Sequence, residues 1–161
     1  MSKFYITTPL YYVNDEPHIG HAYTTILADV ISRTRKIQND DVYFLTGTDE
    51  HGQKVQEAAE KRNVSPKDHV DEYVKRFKNT WKKLNIDYDY FIRTTDENHK
   101  KNVKDILSDL YKKGDIYFDE YEGLYSVSEE RFITEKEKEE GNFRQIKKIK
   151  EKNYFFKMSK Y

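Results

Sequence analysis

Apolar residues recur along this chain in blocks whose period switches between two and three-to-four residues. Lys3-Phe4-Tyr5-Ile6-Thr7-Thr8 reads as a β-strand that Pro9 stops. Beyond it, Ile19, Ala22, Ile26 and Val30 line one helix face, with Leu27 and Ile31 beside them. Asp41-Val42-Tyr43-Phe44-Leu45-Thr46 is a second strand, its nearly continuous apolar run suiting burial on both faces of a parallel sheet. A helix from about Gln53 to Arg62 follows. Another opens at Ser65-Pro66, where Ser65 is placed to cap and Pro66 to occupy the first helical position, and it carries Val70, Tyr73, Val74, Phe77 and Trp81 inward. Tyr90-Phe91-Ile92-Arg93-Thr94 is a third strand. Thr95-Asp96 caps the next helix, whose stripe is Val103, Ile106, Leu107, Leu110 and Tyr111 and which Gly114 closes.

Strand and helix alternating in this way predict an α/β fold with a Rossmann-like, doubly wound parallel sheet. After Gly114 the texture changes: Ile116 to Asp119 and Gly123 to Val127 read as short strands, and helical periodicity is lost from there to the end. The expected division is therefore residues 1–118, the parallel-sheet domain, and 119–161, the start of a small β-rich region.

With 161 residues the chain is long enough for one domain with a real core, or for one domain plus a piece of another. It has no apolar run long enough to span a bilayer and no signal-like N-terminal segment, so a cytoplasmic protein without a membrane partner is expected. Zero cysteines leave no disulfide framework and no thiolate metal site. The 29 basic and 29 acidic residues balance, so bulk charge announces no nucleic acid. Local charge is uneven: Glu129–Glu140 has six acidic and three basic residues, Gly141–Tyr161 seven basic and one acidic. That pattern fits either a solvated charged hairpin or a basic edge that touches an RNA backbone.

The chemistry concentrates in two loops. His18-Ile19-Gly20-His21 falls where a strand and loop pass into a helix, and unpaired backbone N–H groups together with the helix dipole attract phosphate there. His18 and His21, three apart, can point to the same side, and Gly20 lacks the Cβ that would keep a bulky ligand off the backbone. Gly47-Thr48-Asp49-Glu50-His51-Gly52 follows the second strand at its carboxyl end, where open α/β sheets bind ligands, so Asp49 and His51 are expected in the same crevice. Two other readings of these residues stand beside a phosphate site: histidines that only cap backbone groups, and a His-x-x-His plus Asp-x-His set holding a metal.

The ordered set resembles class I aminoacyl-tRNA synthetases, and within them the methionyl-tRNA synthetase family. Phe4 to Asn14 followed by Pro17-His18-Ile19-Gly20-His21 is similar to the N-terminus of that family, and the likeness continues through Phe44 to Gly52, Phe91 to Thr95, Tyr121 to Tyr125 and Asn153 to Phe156. The resemblance implies a methionine-tRNA ligase that makes methionyl-adenylate from ATP, with Mg²⁺, and methionine, then charges tRNA(Met). This chain would be its N-terminal part. It implies that His18, Gly20 and His21 bind ATP, that His18 and His21 stabilise the transition state at the α-phosphate, that Asp49 holds the methionine ammonium, and that Leu10 and Tyr12 line an apolar methionine pocket. Alternatives are a class I synthetase for another apolar amino acid, a nucleotidyltransferase of the same fold, and a fragment that only binds.

Two stretches depart from the family pattern. Ser126 and Glu129 stand where many members carry the cysteines of a zinc knuckle in the insertion, so the insertion is expected to be zinc-free. Lys157-Met158-Ser159-Lys160 looks like the lysine loop of the class, but it follows Asn153-Tyr154-Phe155-Phe156, which resembles the end of the knuckle region, and it is given no catalytic role.

Overall fold

The computed structural model describes residues 2–126, 129, 131–143 and 145–161. In chain order the elements are β1 (Lys3–Thr7), β2 (Tyr11–Tyr12), α1 (Ile19–Ile37), β3 (Asp41–Asp49), α2 (Gln53–Lys61), α3 (Pro66–Lys83), β4 (Tyr90–Arg93), α4 (Glu97–Lys112), β5 (Ile116–Ser126), β6 (Arg131–Ile133), α5 (Glu135–Glu140) and β7 (Ile146–Phe156), with a 3₁₀ turn at Met158–Lys160. They group into two compact units, one up to Asn102 and one from Val103. No described helix is long and apolar enough to cross a membrane.

The first unit is built on a parallel sheet. Leu45 pairs with both Thr7 and Tyr90, and Thr48 with both Tyr11 and Arg93, so β1 and β2 share one side of β3 and β4 takes the other. Pro9 ends β1, but the chain stays on β3: Thr8 donates its N–H to the Leu45 carbonyl at 3.2 Å, and the Thr8 and Thr46 hydroxyls bond at 2.8 Å. Parallel neighbours need crossovers, and α1 supplies the first, α2 with α3 the second.

α3 folds as its sequence predicts. Ser65 Oγ accepts from the Asp68 N–H at 3.1 Å, Pro66 occupies the first turn, and Val70, Tyr73, Val74, Phe77 and Trp81 are all buried. They meet Tyr11, Val13, Val55 and Phe91 in one core, where each fully buried large side chain contributes about 1.5–3 kcal/mol. That core lies on one face of the sheet, and Tyr5 and Tyr43 stack at 6.1 Å on the other, which is open. The first half of β3 is thus buried on one face rather than two, against the expectation from its apolar run.

Of the apolar stripe of α1, Ala22 alone packs against the core. Thr25, Ala28, Asp29 and Ser32 are its buried residues, while Ile26, Leu27, Val30 and Ile31 are exposed. The small polar face wins because it has specific partners. Thr25 Oγ1 bonds the Tyr11 hydroxyl at 2.8 Å, and Asp29 Oδ1 accepts the Asp87 N–H at 2.9 Å. α4 behaves alike: none of its residues is buried, although Gly114, at φ +71, closes it as expected.

The second unit is an antiparallel sheet in the order β6-β5-β7. β5 is continuous where two short strands were expected, because it pairs with β7 over its full length, from Ile116↔Phe156 to Ser126↔Ile146. Val127, expected to end the second of those strands, lies outside the described residues, as do Ser128 and Glu130. The polar stretch that hid the continuity is stitched across strands, Glu122 to Lys148 at 2.7 Å and Glu120 to Lys150 at 2.6 Å. These pairs make the basic stretch a solvated ladder, and lysines on β7 protect the sheet edge. Helix α5 appears where helical periodicity had ended. Its signal is a capping box: Glu137 donates its N–H to Thr134 Oγ1 at 3.2 Å, and Thr134 donates its N–H to Glu137 Oε2 at 2.8 Å. The Thr134 N–H, then Arg131, hold the Glu137 carboxyl down at about 2.

Candidate active site

β2 and the start of α1 bring the first set of side chains together. His18 is the N-cap of α1, and its Nδ1 accepts the Gly20 N–H at 3.1 Å. His21 Nδ1 accepts the His18 N–H at 3.2 Å, and the two rings stack with centroids 3.7 Å apart. The capping role and the phosphate role are therefore compatible. A neutral imidazole whose Nδ1 accepts must carry its proton on Nε2. Among the described residues neither Nε2 has a partner, so the helix start presents two outward N–H donors beside its own positive dipole end.

Tyr11, not singled out by the sequence, seats the second ring. It is buried, lies 4.8 Å from the His21 ring and 6.0 Å from Phe77, and is fixed through its hydroxyl to Thr25. Partial burial, then His18, lowers the His21 pKa below 6.5 and keeps that ring neutral at physiological pH. A Cβ on Gly20 would meet the His18 ring at 3.0 Å, so the glycine also leaves room for the cap.

Leu10, Tyr12, His18 and His21 line one cleft of about 420 Å³, together with Asn14 and Asp15. Asp49 is the register partner of Tyr12 on the neighbouring strand. Its carboxylate receives only long contacts, 3.4 Å from the His51 N–H and 3.4 Å from the Thr94 hydroxyl, and it retains capacity for a cationic ligand. Every predicted site residue is thus at the carboxyl end of this sheet, but His51 does not join the cleft of the paired histidines. That ring turns to the Thr94 carbonyl at 3.2 Å and lines a different cleft, with Arg93 and Asp71. Among the described residues no three His, Cys, Asp or Glu side chains gather as a metal-binding group.

Sequence reasoning passed over Glu50, Arg93 and Thr94, which form a buried network behind the Asp49 loop. The signal was the strand parity: Thr48 and Glu50 alternate with Asp49, so Glu50 has to point to the core, where a lone carboxylate demands a partner. A larger cavity, about 690 Å³, is elsewhere, in the second unit between Leu107, Tyr111, Tyr154 and Phe156. It is apolar and brings no reactive groups together.

The remaining polar residues singled out by sequence are in the second unit. Lys157 Nζ donates to the Gly114 carbonyl at 2.9 Å. Lys160 Nζ and the Tyr161 hydroxyl each bond the buried Asp115 carboxylate at 2.6 Å, which holds that carboxyl below the usual range. Ser126 is buried and Glu129 pairs with Arg131 at 3.1 Å. A hydroxyl and an arginine-bound carboxylate do not fit a zinc knuckle, which is built from thiolates and imidazoles.

A family model described as tRNA synthetases class I (M) matches residues 4–153. The chain is 52% identical, over 98% of its length, to the methionine–tRNA ligase of Clostridium perfringens, and 52% identical over 99% to that of Thermotoga maritima. It spans 25% and 27% of those relatives, about a quarter of their length. Among solved structures, Mycobacterium tuberculosis methionyl-tRNA synthetase in complex with methionyl-adenylate superimposes with a TM-score of 0.88 at 39% identity, covering 100% of this chain and 33% of that one. A LeuRS of Agrobacterium radiobacter K84, 21% identical with a TM-score of 0.82 over 99% of this chain and 22% of that one, shares the fold. With a Rossmann-like parallel sheet, the paired histidines at the start of α1 and a family match over nearly its whole length, the chain belongs to the class I tRNA synthetases, in their methionyl branch.

Proposed function

We propose that this chain supplies the ATP- and methionine-binding part of a methionine–tRNA ligase, with residues 1–118 as the first half of the catalytic fold and 119–161 as the start of its insertion. The observation that carries this is the pair of unpartnered imidazole Nε2–H donors in the same cleft as Leu10 and Tyr12, with Asp49 in register beside Tyr12. In the adenylation step a methionine carboxylate oxygen attacks the α-phosphorus of ATP. The bond from that phosphorus to its bridging oxygen breaks, and pyrophosphate leaves. His18 and His21 donate to the α-phosphate oxygens as charge gathers on them, from positions fixed before the reaction by their own capping bonds. Gly20 lets the nucleotide approach the helix start. Asp49 takes the methionine ammonium, and Leu10 and Tyr12 line the thioether pocket.

Mg²⁺ enters with ATP. Magnesium is ordinarily held by phosphates and one or two carboxylates, and it would be carried on the phosphates of the ATP. The methionyl group then passes to the terminal adenosine of tRNA(Met). The test is methionine-dependent exchange of pyrophosphate into ATP by the gene product that contains this chain, followed by charging of tRNA. Exchange driven by a different apolar amino acid, or exchange without any tRNA charging, overturns the proposal in favour of another synthetase or a nucleotidyltransferase.

A further inference from the structure

We infer that Glu50 and Arg93 are positioning residues for amino-acid recognition, acting through Asp49; this rests on the reading of Asp49 as the ammonium-binding carboxylate. The Glu50 side chain is 0% exposed. Its Oε1 accepts from Thr48 Oγ1 at 2.7 Å and Arg93 Nε at 2.7 Å, and its Oε2 accepts from Arg93 Nη2 at 2.9 Å and from the Thr95 hydroxyl. Arg93 Nη2 reaches on to Asp71 of α3 at 2.6 Å, and the two carboxylates keep the guanidinium firmly charged. One buried ion pair thereby ties together β3, β4 and α3.

The tie sits directly behind the loop that presents Asp49. The Glu50 N–H donates to Thr94 Oγ1 at 2.9 Å, and the Thr94 N–H donates to the Thr48 carbonyl at 3.2 Å. The same Thr94 hydroxyl donates to Asp49 Oδ1 at 3.4 Å, while the Thr94 carbonyl faces His51 Nε2 at 3.2 Å. Asp49 has no short bond of its own. Its carboxylate is held by the Thr94 hydroxyl and the His51 N–H alike, and both sit on the backbone that the pair anchors, Thr94 next to Arg93 and His51 next to Glu50. Gly47 completes the arrangement: β3 and β4 approach so closely at Gly47↔Ile92 that any Cβ there would overlap the Ile92 carbonyl oxygen.

A buried ion pair could equally serve stability alone, and the two roles separate experimentally. Glu50→Gln keeps the shape and removes the charge that orders Arg93. In the gene product that contains this chain, exchange kinetics for Glu50→Gln are expected to show the methionine KM raised about 10- to 100-fold, with the ATP KM within about twofold. Because Glu50 acts through Asp49, adding Glu50→Gln to Asp49→Asn should raise the methionine KM no further. Arg93→Lys should recover part of what Arg93→Met loses. A lowered Tm with both KM values unchanged, or effects of Glu50→Gln and Asp49→Asn that multiply, overturns the inference. Where Glu50→Gln does not fold, Thr95→Val, which removes a single bond to Glu50, carries the same comparison with an expected rise of a few-fold. Wild-type protein that activates another amino acid sinks the proposed function alone, since the coupling is then measured with that amino acid.

Discussion

Replacing His21 by Ala separates the two jobs of one ring. Its Nδ1 is occupied by the His18 N–H and its faces by His18, Tyr11 and Phe77, with centroids at 3.7, 4.8 and 5.3 Å. Losing those contacts lowers stability by about 1 kcal/mol for the cap and about 0.5–1.5 kcal/mol for the ring packing, and neither term touches the reaction barrier. The Nε2–H is different, because it bonds strongly only when charge gathers on the α-phosphate. Removing one such preorganised donor costs roughly 100- to 1,000-fold in adenylation rate, about 3–4 kcal/mol. Methionine affinity should barely change, since Asp49, Leu10 and Tyr12 are untouched. The assay is single-turnover formation of methionyl-adenylate at saturating ATP and methionine, with methionine affinity measured separately at equilibrium. A His21→Ala enzyme with near-normal adenylation and weakened methionine binding would refute the assignment of roles.

Asp49→Ala should do the reverse, weakening methionine binding at least 10-fold, because a desolvated ammonium loses its counter-charge; equal affinity by equilibrium dialysis would contradict this. His21 should titrate below its ordinary 6.5, since burial and His18 disfavour its charged form. The unfolded chain then takes up the proton first, so the contribution of this ring to stability is complete above pH 6.5 and declines as pH falls below it; an NMR midpoint above 6.5 would reverse the sign. Zinc, measured by elemental analysis of purified protein, should be far below one per chain, and a chelator-resistant stoichiometric ion would defeat the reading of Ser126 and Glu129. The chain 1–161 alone should self-associate through the exposed Ile26, Leu27, Val30 and Ile31 of α1, and Leu27→Lys with Val30→Glu should reduce that association in sedimentation velocity.

Local signals in this sequence determine local structure. Ser65-Pro66 starts α3 and Gly114 ends α4, because capping geometry and backbone freedom are properties of a few neighbouring residues. The inward stripe of α3 was legible for a related reason: its large aromatics have nowhere else to go. The two motifs could be placed from sequence, imidazoles at a helix start and a carboxylate at a strand end, because type and spacing carry that much. Which face of α1 is buried was not. An apolar stripe states what prefers to leave water, not what is present to receive it, and here Thr25 and Asp29 find Tyr11 and Asp87 while the stripe beyond Ala22 stays outside. Nor does the sequence show that β5 is one strand, since its polar middle is stabilised by lysines some thirty residues away on β7. The same holds for the site. His18 and His21 could be placed from sequence, but their tautomers follow from bonds to backbone N–H groups, and the hold on Asp49 follows from an ion pair between Glu50 and Arg93, 43 residues apart in sequence. Contacts of that range exist only once the chain has folded, so tertiary structure alone decides them.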